Sequence, residues 1–204
     1  MANTCCDSGP GFEGASAGFR RALIAVIVIN AAMFVTETAS GLYAQSMALR
    51  ADALDFLGDT LTYGITLLVI GQPLRYRAAA ALFKGASLAL MGLWVFAATL
   101  YQALILQQPN ALVMGSVGLL ALAANLASVL LLIRWRDGDA NVRSVWLCSR
   151  NDALGNIAVV VAAAGVFSTG SAVPDLLVAA AIAGLFLCSA FRIIVQARAE
   201  LAPG

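Results

Sequence analysis

Residues 146–156 read WLCSRNDALGN, and they run straight into the apolar stretch IAVVVAAAGVF at 157–167. That stretch is too short to cross a bilayer alone, since a spanning helix takes about 20 mainly apolar residues. A helix that spans here must draw its other half from Val142 onward, a half that holds Arg143, Cys148, Arg150, Asn151, Asp152 and Asn156. Turned toward lipid, those groups would carry a heavy penalty, so they must face other helices or water. The stretch therefore predicts a bundle of membrane helices with a polar interior.

Composition agrees. Of the 204 residues 61% are hydrophobic and only 11% charged, where a soluble domain carries about a quarter charged residues. The mean hydropathy is +0.89. The fold class is an all-α integral membrane protein. A net charge of +1 without a basic run excludes a nucleic-acid partner. The first residues hold Cys5, Cys6 and Asp7 and no basic segment leading into an apolar core, so they do not read as a cleaved signal peptide. Cys5, Cys6, Cys148 and Cys188 are too scattered for a disulfide framework. There is no histidine.

Six spans are expected, at about 20–43, 48–72, 79–105, 110–133, 142–168 and 174–197. Short breaks containing Gln72-Pro73, Pro109-Asn110, Asp137-Gly138-Asp139 and Pro174 make neighbours antiparallel. Residues 1–19 read as a flexible cytoplasmic tail, 20–198 as the transmembrane domain and 199–204 as a short end. Of the 12 lysines and arginines, only Arg50 falls on the side away from the N-terminus. The excess of positive charge on one side places both termini in the cytoplasm, in a bacterial inner (plasma) membrane. Tyr43 and Tyr101 then mark the outer interface, Tyr76, Trp135 and Trp146 the inner one.

The second span carries ADALDFLGDTLTYG, residues 51–64, which sets Asp52, Asp55 and Asp59 on one helical face. Cys148 and Asp152 share a face of the fifth span, and the first adds Asn30 and Glu37. Carboxylates gathered in a low-dielectric site stay ionised only beside a cation. Two Asp oxygens from one helix with a thiolate and an Asp oxygen from another make a mixed set of four, which suits a tetrahedral Zn²⁺-like ion. The thiolate favours softer metals over Mg²⁺ or Ca²⁺. The competing reading pairs acids with arginines: Asp52 with Arg50, or Asp152 with Arg150 or Arg143. For Asp55 and Asp59 it is weaker, because no basic residue is expected at their depth.

These residues resemble the cation diffusion facilitator family of divalent-metal transporters. ETASGLYAQSMALRADALDFLGDTLTYG, residues 37–64, is similar to that family's first-to-second-helix signature, and CSRNDALGNIAVVVAA, residues 148–163, to its fifth-helix signature. The resemblance implies six helices with both termini inside, and a transport site on Asp55, Asp59, Cys148 and Asp152. It implies export of Zn²⁺ or Cd²⁺ as transported substrate, with no prosthetic group, by proton antiport and alternating access. Cys148 stands where the family commonly has His, which would move preference toward thiophilic ions. The family's C-terminal cytoplasmic domain and its His-rich loop have no counterpart in these residues, so the expectation is a short form of the family.

Several features have plainer readings. Cys5 and Cys6 suit a solvated tail, Cys188 a small buried hydrophobe, Asp137 and Asp139 a solvated turn. Asp175 is expected to assist the start of the sixth helix. Asn30 and Asn125 suit contacts between helices. Glu37 is read either as a proton carrier or as a brace for the second helix, with Asp52 beside the same pathway. Asn151 and Asn156 flank Asp152 and are read as orienting it. A homodimer through the membrane helices is expected, with Gly85, Ala86, Ser87 and Gly92 of the third span as one surface. An enzyme is disfavoured, since there is no His and no Gly-x-Ser-x-Gly motif. The alternatives kept open are a passive cation channel, a structural membrane subunit, and a carrier for Co²⁺, Hg²⁺, Fe²⁺ or Mn²⁺.

Overall fold

A computed structural model describes residues 16–69, 74–105, 108–136 and 140–201. It contains six α-helices: α1 (Ala17–Tyr43), α2 (Met47–Val69), α3 (Leu74–Ile105), α4 (Ala111–Leu132), α5 (Ala140–Thr169) and α6 (Val173–Leu201). A short 3₁₀ turn, Ile133–Trp135, extends α4. Cys5, Cys6, Asp7, the Gln72-Pro73 break and the Asp137-Gly138-Asp139 turn lie outside the described residues.

Five helices are long and apolar enough to cross a membrane. The exception is α2, where Arg50, Asp52, Asp55 and Asp59 interrupt the apolar run. It is held inside the bundle by α1, α3, α5 and α6. Bundle neighbours take the place of lipid around its acids, which is what a polar spanning helix requires.

Helix periodicity sorts the faces. On α1 the buried positions Phe19, Leu23, Val26, Asn30, Met33, Glu37 and Gly41 recur every three or four residues. Met114, Gly118, Ala121, Asn125, Ser128 and Leu132 form the matching stripe on α4. Outward positions such as Val28, Val35 and Leu130 stay exposed and apolar, as a lipid-facing surface demands. The tightest pairings are α3 with α6, α4 with α5 and α1 with α2. Gly85 and Gly92 of α3 face α6, against Ile194 and Leu187. Those two glycines are therefore spent within the chain, which corrects their reading as a dimer surface; Ala86 alone of that set is exposed.

The α1–α2, α3–α4 and α5–α6 connections meet at one end. Asn110 N donates to Ala44 O at 2.9 Å, and Gln102 Nε2 to Gln45 O at 3.2 Å. α1 ends in a hydrogen-bonded cap: Gln45 N donates to Leu42 O and Ser46 N to Gly41 O, with Gln45 in the left-handed region at φ 54. A Cβ on Gly41 would meet Arg50 and Leu49 at 3.0–3.2 Å, so glycine there lets α2 close on α1. Arg50 Nε donates to Gly41 O at 3.1 Å and completes the junction.

α2 starts with its free amides satisfied. Ser46 Oγ accepts from Leu49 N at 3.1 Å, while Asp175 accepts from Met47 N and Ala48 N at 2.8 and 3.0 Å. These are donors that a helix start otherwise leaves open. Asp175 lies in the first turn of α6, as expected, and its carboxylate also caps α2, which was not expected. Around this junction Ala44, Met47, Leu49, Met114, Val166 and Leu176 form part of the largest apolar cluster.

Candidate functional site

α2 and α5 bring their acids to a shared cavity of about 400 Å³, walled on the other side by α3 and α6. Asp55, Asp59 and Asp152 line it, with Asp52 at its end nearest the connections. Asp152 stands within hydrogen-bonding reach of both Asp55 and Asp59. The helical spacing explains the meeting: Asp55 and Asp59 are one turn apart on α2, and Asp152 presents to them from the polar half of α5.

Neighbours hold these side chains. Asn30 Nδ2 of α1 donates to Asp59 at 3.5 Å, and Tyr63 lies beside Asp59 one turn along α2. Asn151 lines the cavity and accepts from the Arg150 guanidinium at 3.3 Å. Arg150 also lies over the Trp146 ring, 5.5 Å from its centroid. Asn156 is fully buried, with neither amide atom hydrogen-bonded, so it does not orient Asp152 through a hydrogen bond. Glu37 lies behind Asp52, away from the cavity wall.

The Cys148 side chain lies outside the described residues. Among the described residues no three acid or thiol side chains already close around one point. The acids meet in pairs through Asp152.

Lys84 was not anticipated here. It lines the cavity from α3, and its charge acts favourably on Asp55 and Asp59. Ten residues into α3, it sits about 15 Å along the helix, so a basic residue does stand at the depth of the acids. Arg192 and Ser189 of α6 line the same cavity. Its walls thus extend from Asp52 toward the end that carries both termini.

The model of the cation efflux transmembrane domain matches residues 23–202. The chain belongs to the cation efflux family. It is a multi-pass membrane protein of the cation diffusion facilitator type, a cation transporter. No curated protein matches the chain. The cation efflux match reaches all six helices, including α2 and α5, whose acids meet at one wall of the cavity.

Proposed function

We propose that this cation diffusion facilitator exports a divalent transition-metal cation of the Zn²⁺ or Cd²⁺ kind from the cytoplasm, in exchange for protons. The observation that carries the reading is Asp152 of α5 meeting Asp55 and Asp59 of α2 at one cavity wall. Those three carboxylates and the Cys148 thiolate are the proposed ligands. Such a mixed set of four suits a tetrahedral, borderline-soft ion.

Without histidine, the ion must displace protons from carboxyl and thiol groups. A transporter whose empty site carries protons and whose loaded site carries metal exchanges one for the other as it alternates. The helix packing supports alternating access: the connection end is sealed by hydrogen bonds and an apolar cluster, while the cavity reaches toward the termini. The α3–α6 pair forms the wall that would rock against α2 and α5. The positive-charge excess at the terminal end makes that side cytoplasmic. We further assign the protein to a bacterial inner membrane, as a homodimer held by its membrane helices.

Reconstituted vesicles test this. Saturable Zn²⁺ or Cd²⁺ uptake driven by a pH gradient, with matching proton counterflow, is expected. Saturable uptake without proton movement would remove the antiport, and flux that never saturates would make the protein a channel.

A further inference from the structure

α1 carries one acid, Glu37. It is 0% exposed, and neither carboxyl oxygen receives a hydrogen bond from any donor among the described residues. Its carboxyl lies within hydrogen-bonding reach of the Asp52 carboxyl on α2. Asp52 is 3% exposed, and its Oδ2 likewise lacks a partner. Two carboxylates in contact, shut away from water and without a donor, repel each other at low dielectric. Something positive must sit between them.

The surroundings narrow the choice. The nearby cation, Arg50, donates its Nε–H to the Gly41 carbonyl. α4, which packs on α1, has no ionisable residue between Ala111 and Leu132. From α2 the acid Asp55 adds negative charge on the pair. Beyond Asp55 stand Asp152 of α5, beside it on the same wall, and Lys84 of α3, which also lines the cavity. Asp52 forms part of the cavity wall and Glu37 does not. A metal ion with its water shell reaches Asp52 at most, whereas a proton passes from Asp52 to Glu37 along their contact.

We infer that Glu37 and Asp52 form a proton-binding pair, separate from the metal ligands, which holds one shared proton while the cavity is empty and loses it when a divalent cation binds below. The inference rests on the metal reading proposed for Asp55, Asp59 and Asp152. In the metal-free state the O–H bond lies on one carboxyl and is donated to the other. When the cation arrives, its two positive charges offset the negative field of Asp55, and the pair can ionise. The O–H bond breaks at Asp52, the proton leaves to cavity water, and both carboxyls stay as anions. Metal and proton are then coupled through space, without competing for the same oxygen.

Two measurements test it. Titration calorimetry of purified protein with Zn²⁺, repeated in buffers of different ionisation enthalpy, counts protons released per metal. Glu37→Gln, which keeps the shape and supplies an N–H donor to Asp52, should still bind Zn²⁺ but release about one proton fewer. An equal count in both proteins overturns the inference. Infrared spectra of metal-free wild type at neutral pH should contain a protonated-carboxyl band sensitive to D₂O, diminished in Glu37→Gln or in Asp52→Asn. This reading does not depend on metal binding, so it stands even where Zn²⁺ fails to bind and the functional reading falls. If Glu37→Gln does not fold, the wild-type spectrum decides: no protonated-carboxyl band means no shared proton.

Discussion

Asp175 and Ser46, 129 residues apart, are joined by a hydrogen bond of 2.6 Å from the serine hydroxyl to the carboxylate. The same carboxylate takes the first two amides of α2. One buried acid at the start of α6 thus fixes the start of the helix that carries the site. Removing it strands buried donors, at roughly 1–3 kcal/mol. Asp175→Ala should lower the unfolding midpoint of the detergent-purified protein by several degrees, and Ser46→Ala by less. A midpoint unchanged in Asp175→Ala would show that the junction does not depend on this acid.

Cys148 determines which metals the site prefers, if its thiolate is a ligand. Sulfur binds Cd²⁺ and Zn²⁺ well and hard ions poorly. Cys148→Ser should therefore reduce Cd²⁺ transport more than Zn²⁺ transport, and Cys148→His should shift the balance back toward Zn²⁺. The Cd²⁺-to-Zn²⁺ ratio of initial rates in vesicles reads this directly. A ratio unmoved by both variants would leave the three aspartates as the protein ligands.

Lys84 places a positive charge in the cavity proposed to receive the transported ion. Its ammonium and the metal are drawn to the same carboxylates, so removing it should strengthen metal binding. Lys84→Met is expected to tighten Zn²⁺ affinity by a few-fold up to about tenfold at low ionic strength, with the gain shrinking as salt is added. Weaker binding would mean that Lys84 positions the acids and does not compete with the ion.

Much of this was legible in the sequence. The spans could be read because lipid demands about 20 apolar residues, and the α2 acids because their spacing keeps one face. The Glu37–Asp52 and Asn30–Asp59 contacts were legible too, although they were not drawn out beforehand. Glu37 lies seven residues before Ala44 and Asp52 seven after Gln45; Asn30 and Asp59 lie fourteen from the same two residues. In an antiparallel helical hairpin, residues equally distant from the turn stand at one level. Lys84 was misread because charge counting treats every lysine as belonging to the membrane edge, whereas this one lies well inside α3. The second role of Asp175, at the start of α2, was missed because a cap is sought first in its own helix. That role comes from the convergence of three connections, a long-range arrangement without a local signal.

In the proposed transport site, α2 and α5 hold the transported ion between them. Zn²⁺ uptake into vesicles containing wild type, Asp59→Ala or Asp152→Ala, each matched for the amount of protein inserted, tests it most directly. Either substitution removes a carboxylate from the meeting of Asp152 with α2. Each should abolish saturable uptake while insertion stays normal. Wild-type rates in both variants would contradict the account.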